Sequence, residues 1–213
     1  MKKIIAILTP IFLLASITAK AEVGMGITGA LHSFEASGTE TTRNSLQKNT
    51  GSHSHDAMVP ELFVEAISDN GVAIGISFIP VREMGSKSRT DSNSDGDSGT
   101  YTAKAELANV AQLYVDVPLG SYPVYGKLGI QHVTLKTLES LNSGTTYPDA
   151  DLMGFTYGIG TKGDLPFGSN LYYKLEVTHT EFDDYSETGG ATGNTLEADF
   201  DNTAGKISIG YKF

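Results

Sequence analysis

The chain has 213 residues, 39% of them hydrophobic and 19% charged, with a mean hydropathy of -0.13 and 24 glycines, against a usual glycine share of roughly 7%. That is too polar for a bundle of transmembrane helices, and the glycine points to turns and closely packed strands. A formal net charge of -10 argues against nucleic acid as a partner, because phosphate binding needs clustered Lys and Arg; the absence of Cys excludes disulfides, thiolate zinc sites, cysteine nucleophiles and a lipid-modified N-terminal cysteine.

Residues 1–21 read as a secretory signal. Lys2 and Lys3 precede an apolar run from Ile4 to Ile17, and Ala19-Lys20-Ala21 supplies small residues for cleavage before Glu22. As a membrane anchor the run is short for about 30 Å of hydrocarbon and contains Pro10. Cleavage removes Lys2, Lys3 and Lys20 and no acid, so the mature domain, residues 22–213, is more acidic still.

Period-two patterning then runs through nearly the whole chain and predicts eight strands. The first, about 23–36, places Val23, Met25, Ile27 and Leu31 on one face. The second, about 58–67, sets Leu62, Val64 and Ala66 against Glu61 and Glu65, and Ser68-Asp69-Asn70-Gly71 makes a tight hairpin into the third, about 72–81. The fourth, about 100–117, sets an apolar row from Tyr101 to Val117 against Lys104, Glu106, Gln112, Tyr114 and Asp116. Asn109 is the polar exception in its apolar row. The fifth, about 124–135, sets Val124, Leu128 and Ile130 against Tyr125, Lys127 and Gln131; the sixth, about 152–162, sets Met153, Phe155, Tyr157 and Ile159 against glycines and Thr156. The seventh, about 171–182, opposes Leu171, Tyr173, Leu175 and Val177 to Lys174 and Glu176. The eighth, about 203–213, opposes Ile207, Ile209, Tyr211 and Phe213 to Lys206 and Lys212.

Connections 37–57, 82–99, 136–151 and 183–202 are long and polar, whereas 68–71, 118–123 and 163–170 are short. Strict alternation puts every long connection at one end of the sheet. The central stretches of the apolar rows carry no charge. A closed, membrane-spanning antiparallel barrel explains both: it pairs every backbone group internally, faces lipid with one row and encloses polar groups with the other. A soluble eight-stranded barrel with an apolar interior is the alternative, since periodicity does not say which face is outside.

The terminal Gly205-Lys206-Ile207-Ser208-Ile209-Gly210-Tyr211-Lys212-Phe213 resembles the assembly signal of Gram-negative outer-membrane proteins, carried by Ile207, Ile209, Tyr211 and Phe213. With the signal peptide and eight alternating strands, the chain resembles the small outer-membrane barrels: the OmpA membrane domain, OmpX and the opacity-type surface proteins. That resemblance implies an all-β, eight-stranded up-and-down transmembrane barrel in the outer membrane. It also implies insertion by the barrel-assembly machinery, short turns in the periplasm and long loops outside. No OmpA-like wall-binding domain is expected after the barrel. Trp is absent from the expected aromatic girdle, for which Phe78, Tyr101, Phe155, Tyr173, Tyr211 and Phe213 are the candidates.

The inward rows carry Glu61, Glu65, Glu106, Asp116 and Glu176 against Lys104, Lys127, Lys174, Lys206 and Lys212. Equal numbers of opposite charges in a narrow lumen imply ion pairs, because an unpaired buried charge is costly. Two readings follow: a plugged barrel, or a narrow gated pore for small solutes. In the loops, Asp91, Asn93, Asp95 and Asp97 match the start of an EF-hand calcium loop. The twelfth position, however, is Thr102, and the run is also what an exposed polar loop contains. His53-Ser54-His55-Asp56 has metal-ligand types in an exposed loop, and the acids of 183–202 could meet lipopolysaccharide through divalent cations. His179 and Glu181 share a strand face, but no Gly-x-Ser-x-Gly elbow exists, and no enzyme and no cofactor are expected. The expected partners are outer-membrane lipid and lipopolysaccharide, the assembly machinery, and a host-surface or phage ligand. The leading function is a surface or structural barrel; a channel is the alternative and a lipid A-modifying enzyme the third. Planar-bilayer recording separates plug from pore: a filled lumen gives no conductance steps above baseline.

Overall fold

Alternating Val, Ile, Leu and aromatic residues favour extended chain because branched and ring side chains pack well on a pleated surface. The computed structural model describes residues 21–43, 46–91, 99–140, 147–166, 170–190 and 193–213. The predicted signal segment before Ala21 lies outside them, as do Asn93, Asp95 and Asp97; Asp91 ends a strand, and its side chain is outside the description too. The strands are β1 (Ala21–Thr41), β2 (Lys48–Ser68), β3 (Ala73–Ile79), β4 (Arg82–Asp91), β5 (Gly99–Pro118), β6 (Val124–Ser140), β7 (Ala150–Asp164), β8 (Leu171–Phe182), β9 (Tyr185–Thr188) and β10 (Thr195–Lys212). No helix occurs among the described residues.

These ten strands make eight staves. β3 and β4 are one stave interrupted at Pro80 and Val81, because both pair β5 in continuous register, from Ile79 opposite Val110 to Arg82 opposite Leu107. β8 and β9 also both pair β10, with the register shifting by one residue across the break at Asp183 and Asp184. Each stave is antiparallel to its neighbours, and β10 returns to pair β1 from Gly24 opposite Lys212 to Thr41 opposite Thr195, closing the barrel.

The staves run past the predicted strands. β1 and β2 stay paired up to Thr41 opposite Lys48, so most of the expected loop 37–57 is a hairpin. Its two faces are both polar, which erases the alternation that marks a strand in sequence while leaving the backbone ladder intact.

The apolar rows face out. Ile27, Leu62, Phe78, Val177 and Ile207 are all more than half exposed. From Val23 to Leu31 the chain advances about 27 Å at ~3.4 Å per residue. Along an axis inclined by ~40° that is about 20 Å, close to the ~25 Å apolar band of membrane barrels. Above the band the outward positions turn polar, with Glu35, Asp56, His132, Asp151, Glu181 and Asp201. Aromatic pairs mark both margins: Phe155 with Tyr157, centroids 6.2 Å apart, and Tyr211 with Phe213 at 4.9 Å. The alternative with apolar rows inside is thereby excluded.

Asn109 is the second departure from simple alternation. It has φ +52°, and the β5–β6 register shifts between Ala108 and Ala111. This bulge inserts an extra residue and reverses the parity above it. Leu107, expected on the lipid face, is buried inside, and Glu106, expected inside, moves to a half-buried position opposite Lys136.

Much of the glycine serves the interior. A Cβ on Gly160 would sit 2.6 Å from the Tyr125 ring and 2.9 Å from the Leu175 carbonyl; Gly75 and Gly210 leave equivalent room for Tyr114 and Tyr172. Gly205 faces outward with open space around it. Gly160→Ala should therefore destabilise the barrel by about 1–3 kcal/mol through overpacking, while Gly205→Ala leaves it nearly unchanged. The unfolding temperature of the compact gel band, before and after heating, reads both.

Candidate functional site

The inward row of each stave delivers its side chains into one lumen, which is layered. Tyr114 on β5, Tyr125 on β6 and Tyr172 on β8 line its short-turn end, and all three are buried. Tyr114 and Tyr172 donate to the two oxygens of Glu65 at 2.7 and 2.8 Å. Tyr125 packs its ring on Gly160, and its hydroxyl has no hydrogen-bond partner among the described residues.

Beside this layer lies the ion-pair cluster. Lys174 Nζ donates to Asp116 Oδ2 at 2.6 Å and Glu65 Oε2 at 2.9 Å. Lys127 Nζ lies 3.0 Å from Asp116 Oδ1 and 2.9 Å from Glu176 Oε1, off the line of a hydrogen bond to either, and 3.4 Å above the Tyr114 ring. Each group is almost wholly buried. In so dry a setting one ammonium shared between two carboxylates is what keeps both ionised acids tolerable.

A rung of hydroxyls and amides follows: Ser77 to Gln112, Gln112 Nε2 to Thr156 at 2.8 Å, and Thr156 to Thr180 at 2.8 Å. On the opposite wall Glu61 accepts from Lys206 Nζ at 3.0 Å and stands 3.0 Å from His32 Nε2, whose Nδ1 meets the Asn202 amide. The His32 ring stacks on Phe34, with centroids 5.6 Å apart and planes 4° from parallel. Phe34 begins an apolar layer of buried Val59, Ile79, Leu107, Val110, Val133, Leu135 and Leu152 that fills the long-loop half.

The structure thus brings together Glu65, Asp116, Lys127, Lys174 and Glu176, and a second group of Glu61 and Lys206. It does not bring in three other predicted members. Lys212 pairs with Asp164 at 2.6 Å at the short-turn rim. Glu106 is displaced by the bulge. Lys104 lies above the same bulge, with its side chain outside the description. His32, Asn202 and the tyrosines are the members that charge counting misses. Extending the period-two parity finds them, and it also places Phe34, Val59, Val133, Leu135 and Leu152 on the inward row.

Other candidates are dispersed. No group of three metal-ligating side chains occurs among the described residues. His53, His55 and Asp56 lie in β2, where alternation sends Asp56 to the opposite face from the histidines. His179 Nδ1 shares a 2.9 Å hydrogen bond with Thr203 Oγ1, while Glu181 is 3.9 Å from Nε2. The backbone of these strands is committed to the ladders.

Two gaps interrupt the wall among the described residues: above Gly154 opposite Phe182, β7 pairs only β6 while β9 pairs only β10, and the other lies between β2 and β4. β2 pairs β3 only from Ile67 opposite Ala73 to Leu62 opposite Phe78. Continuing that register sets Pro60 against Pro80. Neither has an N–H to give, so the ladder ends there. Beyond them, among the described residues, β2 pairs only β1 and β4 pairs only β5. Val59 and Ile79, which border this slit, belong to the apolar layer.

Removing Lys174 by Lys174→Met should cost about 3–5 kcal/mol, because Asp116 and Glu65 lose their shared ammonium while still buried. Adding Asp116→Asn should recover part of the loss, read as the midpoint of urea unfolding in lipid vesicles.

No protein-family model and no curated protein sequence matches the chain. Among solved structures it is similar to the outer membrane protein OprG from Pseudomonas aeruginosa, with a TM-score of 0.53 at 14% identity, covering 92% of this chain and 98% of OprG. The outer-membrane protease OmpT from Escherichia coli gives 0.48 at 10% identity, covering 93% of this chain and all of that one. Ail, the attachment invasion locus protein of Yersinia pestis, gives 0.37 at 12%, covering 88% and 99%. The closed eight-stave wall and its apolar outer belt give this chain the fold of an eight-stranded outer-membrane β-barrel, the fold it shares with OprG.

Proposed function

We propose that the protein is a lateral passage for small apolar molecules, between the long-loop half of its lumen and the surrounding outer leaflet. The observation that carries this reading is the slit above Pro60 and Pro80, which stands beside the apolar layer at the upper margin of the lipid-facing belt. Unpaired strand edges at membrane depth are expensive unless they line a cavity or are covered. A barrel that breaks its wall where its lumen is apolar therefore has a reason to do so there. The ion-pair cluster beneath closes the straight route through the barrel to ions and polar solutes. This differs from the narrow channel that was the sequence's alternative to a surface or structural barrel: the solute is apolar and its exit is sideways.

The cysteine-free chain suits a direct test. Met58→Cys with Arg82→Cys, which face each other when the β2–β3 register is continued past the prolines, keeps both prolines and puts one thiol on each edge of the slit for a disulfide. In proteoliposomes, transfer of a hydrophobic fluorescent naphthylamine should fall when the pair is oxidised and return on reduction. Equal transfer in both redox states would sink the reading.

A second reading, surface recognition of lipopolysaccharide, host surfaces or phage, draws on the β1–β2 hairpin that rises above the belt and on the outward acids Glu35, Asp199 and Asp201. Shortening the tip 42–47 leaves the slit intact, so a loss of cell or phage binding without loss of transfer would favour it. In either case Ile207, Ile209, Tyr211 and Phe213, on the outward row of the closing strand, are the residues we assign to recognition by the assembly machinery.

A further inference from the structure

The short-turn end of the lumen holds a recess of about 420 Å³ whose charges are graded with depth. Lys162 and Lys212 are its half-buried cations; the acids Glu22, Asp69 and Asp164 are exposed around it. Tyr172 forms part of the lining, with its hydroxyl turned to Glu65. The recess therefore backs onto the tyrosine layer and the ion-pair cluster.

The two lysines are under-used. Lys162 Nζ donates to the Gly71 carbonyl at 2.8 Å and lies 5.4 Å from the Tyr125 ring centroid. No carboxylate lies within ion-pair distance of it among the described residues. Lys212 Nζ has Asp164 Oδ1 at 2.6 Å. An ammonium carries three donors, so each lysine retains hydrogen-bonding capacity on the side of the recess. Asp116 and Glu65 act on Lys162 only beyond ion-pair distance; at contact it has a carbonyl and a ring face, so an anion entering the recess supplies its first close negative charge.

The rim narrows the choice of anion. Three exposed carboxylates repel a dianion more than a monoanion, and lysine, as a point charge, does not demand the planar fork that arginine offers to phosphate. We infer that this recess, which opens on the periplasmic side, is a binding site for a molecule ending in a single carboxylate, with Lys162 as its principal anchor and Lys212 beside it. The carboxylate belongs either to a free small organic acid or to the end of a peptide. The volume admits the last two residues of one.

The test uses the full mature chain folded in non-ionic detergent, titrated calorimetrically with acetate, N-acetyl-alanyl-alanine, its C-terminal amide and inorganic phosphate. Saturable binding of the dipeptide acid, at least tenfold weaker for the amide and for phosphate, supports the site. Acetate binding as tightly as the dipeptide identifies a free acid as the occupant; a dipeptide that outdoes acetate tenfold identifies a peptide end. Lys162→Met should weaken binding at least tenfold and Lys162→Arg should restore it. Lys212→Met, with a smaller loss, provides the same reading if Lys162→Met does not fold. Absence of saturable binding, phosphate binding more tightly than the carboxylates, or unchanged affinity in a folded Lys162→Met barrel each overturns the inference.

Discussion

In hydrocarbon a backbone N–H or C=O without a partner costs several kcal/mol, and that cost shapes everything else in this barrel. It demands that β10 come back to β1, which it does along almost the full length of both strands. Once the wall is closed, alternate side chains have only two destinations. The outward set becomes an apolar belt one residue thick, and the inward set must fill a narrow tube. A mean hydropathy near zero is therefore compatible with complete immersion in a bilayer.

Filling the tube uses two chemistries stacked end to end. Near the short turns, acids and lysines share partners and three tyrosines lie over glycines on neighbouring staves. Near the long loops the filling is aliphatic and aromatic. The boundary falls at His32, which hydrogen-bonds the polar side through Glu61 and Asn202 and stacks on Phe34 toward the apolar side. The gap in the wall at Pro60 and Pro80 adjoins the apolar filling and not the polar one. That coincidence is what the proposed lateral passage rests on.

The neighbour OprG shares this barrel fold across nearly the whole chain at 14% identity. At that identity the fold is shared while the lumen is free to differ. The reading of function accordingly rests on this chain's own prolines, lysines and apolar layer.

The stave count, the side on which the long connections emerge, the identity of the lipid-facing row and most of the ion-pair partners were legible in the residues, because a strand with one face in lipid must alternate. Three things were not. The polar hairpin extensions alternate nothing, so only the ladder reveals them. The bulge at Asn109 depends on one residue taking positive φ, and it moved Glu106 and Leu107 to faces opposite those that parity assigned. Pro60 and Pro80 are 20 residues apart, and their opposition exists only once the hairpin register is set by the turn at Ser68–Val72. Alternation is a local property and is written along the chain. Which side chains share a layer, and where the wall opens, depend on register between strands, which only the assembled barrel specifies.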